Sequence, residues 1–105
     1  MRRLSRHSPI FVPPDQPPSV APAGVTATAS RGQIVIQWSG VSGATRYHVF
    51  RSENGVWDAT PLTRVTGKYF KNSGLTNGTT YSYRVAAANY GGVGPASDVV
   101  TAMPL

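Results

Sequence analysis

The chain predicts an all-β fold of two antiparallel sheets packed face to face, and three observations carry that expectation. Apolar and polar residues alternate over short stretches between residues 25 and 102, the period-2 signature of half-buried strands. Turn-forming pairs punctuate those stretches, at Arg31-Gly32, Asn54-Gly55 and Asn77-Gly78. No segment shows the 3.6-residue apolar period of a helix.

Residues 1–21 are a different material from the rest. Six of the nine prolines (Pro9, Pro13, Pro14, Pro17, Pro18 and Pro22) fall within residues 1–22. Each fixes its own φ and biases its predecessor toward extended geometry, so an extended, Pro-rich N-terminal arm is expected. At about 3.1 Å per residue such an arm reaches roughly 60 Å. It carries Arg2, Arg3, Arg6 and His7 near its tip, then the apolar triplet Ile10, Phe11 and Val12. Residues 22–105 are expected to form one domain.

Within that domain Val25 and Ala27 face inward on a first strand, with Thr26 and Thr28 outward. Ile34, Ile36 and Trp38 line a second strand, and Trp38 is its largest core block. Tyr47 and Val49 mark the inner face of a third, whose outward residues include Arg46, His48 and Phe50. Glu53 to Pro61 reads as irregular and holds Trp57. Leu62 to Thr66 reads as a short edge strand with Pro61 at its mouth, where a missing N–H costs little. After Leu75 and the Asn77-Gly78 turn come Tyr81, Tyr83, Val85 and Ala87 in strict alternation. A tyrosine opening a strand just after a tight turn can fold its hydroxyl back onto upstream backbone while its ring fills the core, the tyrosine corner of immunoglobulin-like sandwiches. Asn89 to Pro95 reads as a glycine-rich loop around Tyr90, and Val100 with Ala102 as the closing strand. The expected core is Trp38, Tyr47, Val49, Leu75, Tyr81, Tyr83 and Val85.

Laid out in this way, residues Pro22 to Met103 resemble a fibronectin type III domain. The resemblance rests on Trp38, then on Ala44-Thr-Arg-Tyr47-His-Val49-Phe-Arg51-Ser52, then on Gly74-Leu75-Thr-Asn-Gly78-Thr-Thr-Tyr81-Ser-Tyr83-Arg-Val85-Ala-Ala87-Ala-Asn89, and on the glycine-rich loop followed by Ser97. Its form is more like the bacterial and phage variety than the animal matrix variety. Asn72 stands where the bacterial form often has Asp, and Asn77 where it often has Pro. The resemblance implies a seven-stranded sandwich, sheets A-B-E and C′-C-F-G, with no catalytic residues and no required cofactor. The Arg-Gly-Asp motif of integrin-binding members is missing from the loop before the last strand.

Composition narrows the chemistry. A chain of 105 residues is one domain's worth, able to bury roughly 60–65% of its unfolded surface. Cys is absent, which removes disulfides and thiolate metal sites. Ten basic residues against four acidic ones give a net charge of +6, which favours anionic surfaces without specifying them. No apolar run approaches the roughly 18 residues of a membrane span. Met1-Arg2-Arg3 is followed only by Ile10 to Val12 as an apolar run, too short for a signal peptide.

The four acids, Asp15, Glu53, Asp58 and Asp98, are scattered and show no acid–base pairing. Glu53 and Asp58 share one loop and could hold a cation weakly. His7 and His48 are expected on the surface without a nucleophile beside them. Gly91, Gly92 and Gly94 open no helix and so cradle no phosphate. Asn77-Gly78-Thr79 fits a glycosylation acceptor, but the turn itself already asks for Asn-Gly. Trp57, Phe50 and Tyr90 are the aromatics that could stack on sugar. Arg46, Arg51, Arg64, Lys68, Lys71 and Arg84 add to the arm's arginines, and phosphate contact by them would be salt-sensitive and sequence-blind. Nucleic acid is not the expected partner.

These readings lead to a non-enzymatic structural or adhesion module with no metal and no cofactor. It is expected to be anchored in a larger assembly of protein subunits through Arg2, Arg3, Arg6, Ile10, Phe11 and Val12, most readily as a phage virion decoration or tail-associated protein. Trp57 and Tyr90 are the expected recognition residues, possible contacts for a host-surface glycan. The alternative is an accessory spacer or carbohydrate-binding module of a secreted bacterial glycan hydrolase. Virion or extracellular space is the expected location.

Overall fold

A computed structural model describes residues 16–105 as nine strands and, among those residues, no helix. The arm residues Arg2, Arg3, Arg6, Ile10, Phe11 and Val12 lie outside the described residues. The strands are β1 (Thr26–Ser30), β2 (Gln33–Gln37), β3 (Arg46–Glu53), β4 (Val56–Trp57), β5 (Thr63–Val65), β6 (Tyr69–Ser73), β7 (Tyr81–Asn89), β8 (Gly92–Ala96) and β9 (Val100–Ala102). One sheet has the order β1-β2-β6. In the other, β3 and β7 are central, β4 and β5 share the outer edge of β3, and β8 and β9 share the outer edge of β7. Both edge strands are thus split in two, and joining the pieces recovers the seven strands of the expected sandwich.

Each strand forms because its alternation matches a one-sided burial. Ile34, Ile36, Val49, Tyr83 and Val85 are fully buried between the sheets, with Trp38, Tyr47 and Tyr81 nearly so. Ala27 and Ala29 of β1, Val25 just before it, Leu75 and Val100 pack against this core. The Trp38 and Tyr47 rings meet tilted at 59°, with centroids 5.6 Å apart, a favoured aromatic geometry. Trp38 Nε1 is buried with no hydrogen-bond partner among the described residues, at a cost of about 1–3 kcal/mol.

The tyrosine corner is present. The Thr76 amide donates to the Tyr81 hydroxyl at 3.1 Å, while the Tyr81 ring is buried. At the opposite end of the sandwich the Val41 amide donates to the Tyr47 hydroxyl at 2.9 Å, pinning the loop after Trp38.

Two segments depart from expectation. Glu53 to Pro61 is not wholly irregular: Asn54 and Gly55 both take positive φ, 52° and 87°, which makes a tight hairpin and pairs Trp57 with Ser52. Gly92 to Ala96 is a strand, not a loop, paired to β7 through Ala88↔Val93 and Asn89↔Gly92. It then shifts register, and the Val85 amide donates to Ser97 Oγ at 2.9 Å, so a serine side chain replaces the missing rung.

The two ends of the described chain sit at opposite ends of the sandwich. At one, Asn89 Nδ2 donates to the Gln16 carbonyl at 2.7 Å and to the Gly43 carbonyl at 3.1 Å. At the other, the Gly78 amide donates to the Pro104 carbonyl at 2.9 Å.

Candidate functional site

Alternation on β3 and β7 sends Tyr47, Val49, Tyr83 and Val85 inward and Arg46, His48, Phe50 and Arg84 onto the outer face of the larger sheet. The register places Phe50 opposite Arg84 and His48 opposite both Ala86 and Arg64. The hairpin at Asn54-Gly55 folds Trp57 back onto the same face, beside Ser52. The result is a column. The Arg84 guanidinium carbon lies 4.5 Å from the Trp57 ring centroid and 5.7 Å from that of Phe50. Cation–π contacts of this kind contribute about 0.5–1 kcal/mol where partly exposed.

Beside the column, Arg46 Nε donates to His48 Nε2 at 3.3 Å. His48 was expected on the surface and is instead only 5% exposed. It does lie on the outer face, but the Arg46, Phe50 and Arg64 side chains around it cover the ring. Burial, then the Arg64 and Arg46 charges, push its pKa below the ordinary imidazole value. The imidazole therefore stands neutral as a hydrogen-bond acceptor.

The two expected recognition residues do not meet. Trp57 sits near the Tyr81 end of β7, half-buried under Arg84. Tyr90 sits in the turn after the other end, 89% exposed. Asp58 reaches Arg51 Nε at 4.0 Å, and no group of three or more possible metal ligands occurs among the described residues.

A polar network absent from the sequence-based expectations crosses the core. The Tyr83 hydroxyl donates to Asn72 Oδ1 at 2.7 Å, and Arg51 Nη1 donates to the same atom at 3.4 Å. Its one sequence signal is Asn72 at an inward register position of β6. At the Tyr90 end, Asn89 is the hub: besides its two donated bonds, its Oδ1 accepts from the Gly91 amide at 2.7 Å. Pro18 is buried there, and a Cβ on Gly94 would run into the Pro18 carbonyl. The proline-rich segment is therefore seated against β8 from Gln16 onward.

Two sheets in this order, a tyrosine corner and a split last strand are the frame of one family, and the fibronectin type III domain model matches residues 20–103. The chain belongs to the fibronectin type III family. As a fibronectin type III chain, it superposes on the chicken CNTN1 FN1-FN3 domains with a TM-score of 0.75 at 23% identity, covering 84% of this chain and 33% of that one. With FN3tt the TM-score is 0.72 at 16% identity, covering 85% and 96%. These two likenesses speak for the fold alone.

Curated relatives differ in kind. A poly(3-hydroxybutyrate) depolymerase of Delftia acidovorans is 37% identical over 91 residues, 86% of this chain and 18% of that protein. An amylopullulanase of Thermoanaerobacterium saccharolyticum is 36% identical over 70 residues, 65% of this chain and 5% of its own. A tail tube protein of Bacillus phage SPP1 is 35% identical over 81 residues, 77% and 29%. The chain spans less than a third of the length of each of these three relatives.

Proposed function

We propose that this fibronectin type III chain is a non-enzymatic structural and adhesion module, fixed in a larger assembly by its N-terminal arm and projecting the sandwich outward. A phage virion decoration or tail-associated protein fits this description. The observation that carries the reading is the seating of Gln16 to Pro18. Asn89 holds the Gln16 carbonyl, and Gly94 leaves room for Pro18, so the arm leaves from a fixed root beside Tyr90. A pull on an arm rooted in this way is transmitted to the sheet, as an anchor requires. The likeness to a phage tail tube protein supports the same reading. Protein subunits are the arm's partners, and the virion or extracellular space is the matching location.

The test is deletion of residues 1–15, which spares the buried Pro18. Particles assembled with the shortened chain should lack it, while its urea midpoint matches that of the full chain. Normal incorporation of the shortened chain overturns the anchor.

A second reading is an accessory spacer or carbohydrate-binding part of a secreted bacterial glycan hydrolase. The amylopullulanase likeness and the seating of Gln16 and Pro104 at opposite ends of the sandwich favour it. Starch and chitin pull-downs comparing the wild type with Tyr90→Ala and Trp57→Ala test it. Retention lost in either variant supports sugar recognition, and no retention of the wild type rejects it.

A further inference from the structure

The outer face of the larger sheet carries positive charge that no acid among the described residues pairs with. Arg46, Arg64 and Arg84 share that face on β3, β5 and β7. Strand rise and strand spacing spread Arg46 and Arg84 over roughly 14 Å. Among the described residues none of the three has a carboxylate within ion-pair distance. The ion pair that is present joins Asp58 to Arg51, and Arg51 turns the other way, toward Asn72 and the Tyr81 ring. A complementary partner for the outer face is therefore an anion.

The local geometry says which kind. The Arg84 guanidinium carbon lies over the Trp57 ring and near that of Phe50, and among the described residues no hydrogen bond from its N–H groups is present. A guanidinium is a planar fork matched to a carboxylate. Two residues along β7, Ser82 Oγ and Thr101 Oγ1 form a hydroxyl pair 2.8 Å apart on the same face, suited to sugar hydroxyls. Duplex DNA carries a charge about every 1.7 Å, far denser than this array. Single strands need open aromatic planes to stack on, and here Arg84 occupies them. An extended acidic peptide adds to a sheet edge, whereas β3 and β7 are central strands with neighbours on both sides.

We propose that the Arg46–Arg64–Arg84 face binds an acidic polysaccharide, a polyuronate whose spaced carboxylates meet the three guanidiniums. This deepens the adhesion part of the reading above and rests on it. The chain becomes a module with two separate attachments, an arm for its assembly and a sheet face for a carboxylated glycan.

Titration of the full chain with sodium polygalacturonate at low salt tests the proposal. Arg84→Lys keeps the charge but loses the fork and should weaken binding about tenfold, as should Arg46→Gln with Arg64→Gln. Near-UV circular dichroism checks that each variant is folded. A control that replaces Arg2, Arg3 and Arg6 by Gln should change affinity less than about twofold. Loss of binding in that control, with the face variants unaffected, overturns the proposal. Equal retention of neutral pullulan, polyglutamate or duplex DNA by the wild type also overturns it. The incorporation test reads the arm alone, so face variants that assemble normally yet release polygalacturonate separate the two readings.

Discussion

The Tyr83 hydroxyl donates to Asn72 Oδ1 at 2.7 Å, joining β7 of one sheet to β6 of the other through the middle of the core. A buried hydrogen bond is costly to break on one side only, because the abandoned group has lost its water as well. Tyr83→Phe or Asn72→Leu alone should each destabilise the fold by about 1–3 kcal/mol. The double variant should cost less than their sum, since it leaves no orphan hydroxyl. Urea unfolding of the four proteins measures the coupling. Strict additivity would mean that the bond contributes nothing across the sheets.

The same tyrosine makes the fold sensitive to alkali. Burial raises the Tyr83 pKa well above its ordinary value, against a partial opposing pull from Arg51. A raised folded-state pKa confers stability that is whole below the unfolded value of about 10 and drains away as pH climbs beyond it. The urea midpoint should fall from about pH 10 upward, and Tyr83→Phe should flatten that fall. An equally steep fall in Tyr83→Phe places the alkaline sensitivity elsewhere.

His48 acts at the other end of the scale. Its pKa is lowered by burial and by Arg64 and Arg46, so it contributes stability above the unfolded value of about 6.5 that is lost as pH drops through the folded one. Protonation also ends its acceptance of the Arg46 hydrogen bond. The wild type should lose stability from about pH 6.5 downward more steeply than His48→Gln does. Two-dimensional NMR of the imidazole gives the direction independently.

Gly94 tests the arm's root. A methyl group there meets the Pro18 carbonyl and, on its other side, the Ala87 carbonyl. Gly94→Ala should lift residues 16–18 off β8 and break the Asn89 bond to Gln16, costing about 1–3 kcal/mol by overpacking. Faster amide exchange of Gly91, whose N–H donates to Asn89 Oδ1, with Val85 in β7 still protected, is the expected pattern. Uniform loosening of both would show a general packing defect instead.

How legible the chain was depends on what each residue's neighbours had to say. Trp38, Tyr47 and Tyr81 could be placed from one strand at a time, because period-2 alternation decides their side of the sheet. β8 could not: Gly92, Gly94 and Pro95 have poor strand propensity, and the strand exists because a turn folds it against β7 and Pro18 packs over it. Asn72 faces inward against its polarity because Tyr83 and Arg51 arrive from the other sheet. His48 alternates outward as expected, yet three side chains from two strands shade it. Trp57 looked like a free stacking plane until the hairpin laid it on Arg84. Each of these misses required cross-strand partners, which a linear reading does not contain.

With Gln16 moored at one pole and Pro104 at the other, the strands lie along the line joining those two residues. Tension between those ends would load the ladder rungs in shear, many together, instead of unzipping them singly. A fold strung in that way can bear traction.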